Sequence, residues 1–251
     1  MRVRFFVLVV LLAAVAMAVN AQEIIKIGYF DNQPFVIPQP GGKAPTGASV
    51  DYWMNIVAPA MNVKVTWVGP TPMLRLLKQL ETGDIDAILI LGKNPDREKV
   101  YLYPAKPYLH MRPALTLLKD NPLTSISTQD DVAGMKIGYL QAAVVPDFLK
   151  TAKVTFDNLT STNWQQDNFA KLANKRIDAV FNLNVEALAY EASQTYAGKF
   201  KFLQLPVPPS DIYTAFAKTE RGAAFLQKYD QVNSKNFTVV DTLIKKYIDV
   251  K

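Results

Sequence analysis

The 251-residue sequence contains no cysteine and a single histidine, His110. The missing cysteine excludes a disulfide-stapled scaffold and every thiolate-ligated zinc or iron–sulfur site. With one histidine, a metal would have to be held by carboxylates, and no group of Asp and Glu has the spacing of a calcium loop, so no metal and no cofactor is expected. His110 stands in Tyr108-Leu109-His110-Met111 with no Gly-x-Ser-x-Gly turn nearby. No nucleophile–base pair can be assembled around it, and it reads as a surface or packing histidine. Gly41-Gly42 lies in a proline-rich loop without the Lys-Ser/Thr of a phosphate loop, and so reads as a turn. Beyond residue 21 no run is long and apolar enough to span a bilayer, and no low-complexity segment occurs.

What is present is an ordinary globular composition, 49% hydrophobic and 20% charged, in a chain long enough for one large domain or two modest ones. At the start, Arg2 and Arg4 precede an apolar run over residues 5–19 and the small-residue site Val19-Asn20-Ala21. That is the pattern of a cleaved signal peptide over residues 1–21, the run being shorter than the ~20 residues of a membrane span; an uncleaved anchor is the alternative. Cleavage would lower the net charge from +6 to +4, since only Arg2 and Arg4 are lost. No cysteine offers a lipid attachment point, so a free periplasmic product is expected. The basic residues are scattered, with Lys245-Lys246 as the densest cluster, and no nucleic-acid partner is implied.

A repeat organises the rest. Lys26-Ile27-Gly28-Tyr29 returns as Lys136-Ile137-Gly138-Tyr139, and Ile85-Asp86-Ala87 returns as Ile177-Asp178-Ala179. Chance is one explanation; the parallel order points to two similar α/β lobes. Between the first pair the pattern predicts a helix over residues 50–61, a strand over 63–68, and a helix marked by Met73, Leu76, Leu77 and Leu80 that Gly83 can close. The uniformly apolar Ala87-Ile88-Leu89-Ile90-Leu91 suits the buried centre of a parallel sheet. The second lobe repeats the scheme with strands over 137–140 and 179–183 and helices near 146–150 and 166–174. Residues 113–119 and 202–209 read as two extended crossings, hence a hinge. A strand over 213–217 and two tail helices return to the first lobe. The expected division is residues 22–112 with 206–251 as lobe one, and 113–205 as lobe two. Ligands of open α/β sheets sit beyond the carboxyl ends of the strands, so the segments after Gly28, Leu91, Tyr139 and Phe181 should converge on a cleft.

The order of several short motifs then resembles a known family. Ile27-Gly28-Tyr29 precedes Pro34-Phe35, and Gly47 and Asp51 open the first helix. Asn94-Pro95-Asp96-Arg97 precedes Tyr103 and Pro107-Tyr108. Asp131-Val132-Ala133-Gly134-Met135-Lys136-Ile137-Gly138 and Arg176-Ile177-Asp178-Ala179-Val180 mark the second lobe. Over essentially the whole exported chain this is similar to the extracellular solute-binding proteins of family 3, the type II periplasmic binding proteins. The resemblance implies two α/β lobes on a two-strand hinge, closing over a small-molecule ligand that is passed to an ABC permease in the inner membrane. It also implies a monomer that is not an enzyme.

The resemblance implies that Arg97 grips a ligand carboxylate, which suits a planar, permanently charged fork; surface pairing with Asp96 or Glu98 is the alternative. Phe30 and Phe35 are expected as apolar wall, and Asp31, Gln141 and Asn182 as polar contacts. Tyr29 and Tyr139 should line the cleft, Asn184 should cap a helix, and Trp53, Trp67 and Trp164 read as core or interlobe packing. The departures from the family matter. Asn32-Gln33 stands where an aromatic residue is common, Ala142-Ala143 replaces Gly-Thr, and the Asp that receives an ammonium falls near Asn182. A carboxylate or other anion with an apolar body fits this site at least as well as a standard amino acid, unless Asp31 supplies the missing charge. Two other readings remain: a ligand-sensing partner of a membrane receptor, and a dehydratase-like enzyme in which a carboxylate such as Asp31 is the general acid.

Overall fold

The computed structural model describes residues 22–248; the export segment expected over residues 1–21 lies outside the described residues. Strand β1 (Glu23–Gly28) turns Ile25 and Ile27 inward and Ile24 and Lys26 outward, the alternation of a half-buried strand. Helix α1 (48–61) carries a π turn at Trp53–Val57, just ahead of Pro59, whose ring clashes with a regular α turn. Strand β2 (Val63–Val68) follows, then α2 (Met73–Thr82), which buries Met73, Leu76 and Leu80 and closes at Gly83, φ 76°. Strand β3 (Ala87–Gly92) is buried almost throughout. Helix α3 (Pro95–Val100), β4 (Tyr101–Leu102) and β5 (Leu109–Met111) complete this stretch.

The chain then builds a second sheet. Its elements are β6 (Ala114–Leu118), β7 (Lys136–Leu140), α4 (Asp147–Thr151), β8 (Thr155–Leu159), α5 (Trp164–Ala173), β9 (Ala179–Asn182), α6 (Val185–Thr195) and β10 (Phe200–Gln204). Strand β11 (Ser210–Ala217) returns to the first sheet, followed by α7 (Glu220–Asn236) and α8, two short turns Val240–Leu243 and Lys245–Ile248. The last turn is tied to the first lobe through Asp51, which accepts from Tyr247 Oη at 2.9 Å and pairs with Lys246 at 2.8 Å. Among the described residues no helix is long and apolar enough to cross a membrane.

The sheet orders are β2-β1-β3-β11-β4, with β5 also on β11, and β10-β6-β9-β7-β8. Two expectations are corrected here. Strand β3 is central, but only its β1 side is parallel; β11 lies antiparallel on the other side because it re-enters from the second sheet. The extended segments expected to cross between lobes are largely β6 and β10, which pair antiparallel from Phe200↔Leu118 to Gln204↔Ala114. The links proper are Arg112-Pro113 and residues 205–209. Beyond them the same two chains pair again as β5 and β11, Ser210↔Met111. Two strands side by side thus make the only backbone connection between the lobes among the described residues. Helices cover both faces of the second sheet, and alternate strand residues feed two clusters, Leu115 and Phe181 in one, Ala114 and Val180 in the other.

The sequence repeat has a structural meaning. In each lobe the first strand pairs with the third in the same register, Ile27↔Ala87 with Gly28↔Ile88, and Ile137↔Ala179 with Gly138↔Val180. Asp86 and Asp178 each accept at 2.7 Å from the backbone N–H of Lys26 and Lys136, two residues before the strand glycine. The glycines let a helix lie close to the sheet. An added Cβ at Gly28 would meet Ile85 at 2.6 Å and Leu76 at 2.7 Å, and one at Gly138 would meet Asn168 and, at 2.7 Å, Ile177. Gly28→Ala and Gly138→Ala should each destabilise the protein by about 1–3 kcal/mol through overpacking. Urea unfolding checks this, and unchanged midpoints would show that the neighbouring side chains simply move aside.

Candidate functional site

The carboxyl ends of β1, β3, β7 and β9 all open toward the gap between the sheets, and a cavity of about 50 Å³ lies there. The first lobe contributes Phe30 and Asn32 after β1, Gly92, Arg97, Met111 and Ile212. The second contributes Leu140, Ala143, Val144, Trp164, Asn182 and Leu183. The space is small, room for roughly three or four water molecules.

Local sequence positions Arg97. Asn94 caps α3 by accepting from the Arg97 backbone N–H at 2.8 Å, and Pro95 occupies the first turn. The side chain then spans the gap. Nη1 donates to the Gly92 carbonyl at 2.7 Å and Nη2 to the Ala142 carbonyl at 2.6 Å, so one guanidinium joins the two lobes. It is 8% exposed. The alternative of surface pairing is not seen: Asp96 pairs with Lys99 at 2.7 Å and Glu98 with Lys93 at 3.3 Å, and no ion pair among the described residues includes Arg97. Burial lowers its pKa, opposed in part by Tyr103 and Tyr101, but a guanidinium remains charged. The carbonyl it reaches in the second lobe belongs to a turn with Ala142 at φ 65°, a conformation that costs an alanine roughly 1–2 kcal/mol.

Asn182 is buried at the end of β9. Its Oδ1 accepts from the Asn184 backbone N–H at 3.1 Å, and the residue lines the cavity. Its Nδ2 has no partner. Asn184 does cap α6, accepting from Glu186 N at 2.7 Å and Ala187 N at 3.2 Å.

Asp31 is buried beside the cavity without lining it. Its Oδ2 accepts from Gln33 at 3.4 Å, its Oδ1 has no partner, and its backbone carbonyl accepts from the Trp164 indole of the other lobe at 3.1 Å. Glu191, on α6 of the second lobe, is its electrostatic neighbour, 3% exposed and with Oε1 unpaired. Desolvation pushes the Asp31 carboxyl up to about 6, while desolvation and the Asp31 charge push Glu191 up to about 8. The sequence reading missed Glu191, although its spacing with Ala187, Leu188 and Ala192 marks it as a carboxylate on the buried face of a helix.

Of the six expected contact residues, the structure brings Phe30, Arg97 and Asn182 to the cavity, with Asp31 adjacent. Phe35 and Gln141 lie elsewhere. Phe35 sits in a turn held by its N–H on the Asn32 carbonyl at 3.0 Å and by Ser49 N on its own carbonyl at 3.0 Å, which sends the ring into the first-lobe core. Gln141 continues the β7–β8 ladder through its N–H to Leu159 O at 2.9 Å, outside the cavity. Tyr29 and Tyr139 also turn away, Tyr29 edge-on to Trp67 and Tyr139 against Phe156. Successive residues point oppositely, so their neighbours Phe30 and Leu140 reach the cavity instead. Trp164 is interlobe packing and cavity wall at once. His110 is a surface residue paired with Asp211 at 2.8 Å. Among the described residues no group of three or more His, Asp or Glu is placed to hold a metal ion.

No family model and no curated protein matches this sequence. Solved structures do. An ancestral arginine-binding protein bound to glutamine is similar with TM-score 0.74 at 21% identity, over 90% of this chain and 98% of that one. The substrate binding protein of an amino acid ABC transporter gives 0.71 at 21%, over 90% and 99%. The periplasmic VFT2 domain of Bordetella pertussis BvgS gives 0.73 at 16%, over 89% and 93%. The likeness shows the fold: two α/β lobes about a cleft, as in periplasmic binding proteins.

The buried carboxyl pair sets a pH dependence. Both folded-state values lie above those of an unfolded carboxyl, so the native state holds protons that the unfolded chain releases. The associated stability is complete below the ordinary carboxylate range and is lost as pH rises through about 6 and about 8. Melting temperature should therefore fall between about pH 5 and about pH 9, and Glu191→Gln should flatten the fall. Identical slopes for wild type and variant in a melting series would contradict this.

Proposed function

We propose that this chain is a solute-binding protein of the family 3 type, exported to the periplasm, which holds a small carboxylate-bearing solute between its lobes for an ABC importer. The observation that carries the reading is the Arg97 guanidinium, buried in the cleft and bonded to carbonyls of both lobes. A buried cation partnered only by neutral dipoles is a strong site for an anion, because a carboxylate adds the missing counter-charge with fork geometry. Phe30, Met111, Leu140 and Trp164 enclose the apolar part of the solute, with Asn182 beside them on the wall. These groups come from both lobes, so binding energy is complete only when the lobes are together, and the solute draws the hinge toward closure.

The neighbours named for arginine binding and amino-acid transport support a solute-binding role. A dehydratase-like chemistry would need a proton donor on the cavity wall. Asp31 and Glu191 are held beside that wall, so the geometry favours binding over catalysis.

A thermal-shift screen of the refolded protein against amino acids, organic acids and oligopeptides tests this. Solute at 100 times its dissociation constant stabilises by ~2.7 kcal/mol, a readily measured shift. Arg97→Met should weaken binding of the best hit by about a hundredfold or more, with the far-ultraviolet spectrum unchanged. Undiminished affinity in that variant would refute Arg97 as the anion clamp.

A further inference from the structure

The seam between the lobes buries two carboxyls that pair with no basic side chain among the described residues. Asp31 follows β1 in the first lobe and is 8% exposed; Glu191 lies on α6 of the second and is 3% exposed. One oxygen of each, Oδ1 and Oε1, is buried without a hydrogen-bond partner. The contacts around them run from lobe to lobe. The Trp164 indole of α5 donates to the Asp31 carbonyl at 3.1 Å, and the next residue, Gln165, donates from Nε2 to the Ala187 carbonyl of α6 at 3.2 Å. Ala187 belongs with Trp164 and Leu140 to the hydrophobic cluster of the first lobe, whereas Leu188 and Ala192 belong to the core of the second. Glu191 is one turn beyond Ala187 on the same stripe of α6, the stripe turned to the first lobe, where Asp31 is its charged neighbour.

We propose that Asp31 and Glu191 form a proton-dependent latch between the lobes: hinge closure brings the two carboxyls together out of water and takes up protons, and ionisation of the pair drives the lobes apart. Two carboxylates buried side by side repel with no counter-ion to offset them, whereas a pair that keeps a proton can close. Opening needs no unfolding, since the hinge is two paired strands and the carboxyls stand on opposite lobes. The latch acts on the hinge whatever solute the cleft takes. The groups that bear on the pair leave its sign unchanged. They are the Tyr29 hydroxyl at the end of β1 and the Tyr190 hydroxyl of α6, both held neutral by burial and by the carboxyl charges. Gln33 donates to Asp31 at 3.4 Å, and Trp164 and Gln165 bring dipoles only. Among the described residues no lysine or arginine shifts either carboxyl; Arg97 is bonded to carbonyls and Arg112 pairs with Glu186. With the buried values raised to about 6 and about 8, closure is fully supported below the ordinary carboxylate range and loses support as pH rises through those values.

Fluorescence energy transfer between the lobes of the refolded, solute-free protein tests this. Because the chain has no cysteine, dyes insensitive to pH attach only at Arg75→Cys, exposed at the start of α2, and Lys150→Cys, exposed on α4. Between pH 5 and pH 9 the transfer should fall, the ratio of open to closed molecules rising about tenfold or more, with the far-ultraviolet spectrum constant. Glu191→Gln, and separately Asp31→Asn, should each keep the lobes closer at pH 9 and flatten the profile, because either change removes the repulsion. A wild-type transfer that is constant across the range would overturn the latch, as would a fall of undiminished size in both variants. So would a fall that accompanies loss of the far-ultraviolet signal, which marks unfolding rather than hinge opening. If one variant folds poorly, the other and the wild-type profile decide.

Discussion

A guanidinium taken out of water needs oxygen around it, and Arg97 finds that oxygen by spanning the gap between two lobes. One N–H group bonds to the end of β3 in its own lobe, another to the turn after β7 in the other. The arrangement ties three otherwise separate features together. Asn94 and Pro95 start α3 so that Arg97 falls on its first turn, β3 ends with the Gly92 carbonyl turned to the cleft, and Ala142 holds a left-handed conformation within the facing turn. A change in any of them alters how far apart the lobes rest, because the guanidinium has fixed length and planar donors. The apolar wall strengthens the effect, since fewer waters compete for the same N–H groups.

The lobes that Arg97 joins are built alike. Each begins with a strand whose glycine admits a helix and whose backbone, two residues before that glycine, is held by an aspartate from the Ile-Asp-Ala segment. The glycine and aspartate do their work through backbone geometry and close contact, which few other residues can reproduce. That is why the repeat survives as short identical words in an otherwise dissimilar pair. The lobes differ where they meet: the end of β1 carries Phe30, Asp31 and Asn32, and the end of β7 carries Gln141, Ala142 and Ala143.

How much could be read in advance follows from the range of the interactions involved. The strands and helices around the repeat were legible because their signals are local: the Met73, Leu76 and Leu80 face of α2 and the asparagine cap at Asn184. Arg97 was singled out by the resemblance of Asn94-Pro95-Asp96-Arg97 to a family motif, since its residues alone left surface pairing equally open. The direction of β11 beside β3 was not, because it depends on where the chain returns after a whole lobe. Nor was the exchange of Tyr29 for Phe30 and of Tyr139 for Leu140 as cavity wall: at a strand end a shift of one residue reverses the facing, and only the pairing decides it. Phe35 was assigned to the cleft, but a turn sends it to the core. Glu191 carried half of its signal in helical spacing; the other half, its neighbour Asp31, is supplied by the opposite lobe.

The same seam holds two kinds of buried charge, and they behave differently. Asp31 and Glu191 can shed their charge by keeping protons, and burial drives both toward the neutral form. Arg97 cannot, and among the side chains lining the cavity it is the one that carries a formal charge. Had the carboxyls been placed on the cavity wall, they could have paired with Arg97 and offered a partner to a ligand ammonium. Set beside the wall, they leave Arg97 bonded to carbonyls and without a carboxylate partner. Charge that can be titrated is thus kept at the interlobe seam, and charge that cannot is kept on the cavity wall, where it favours a bound anion.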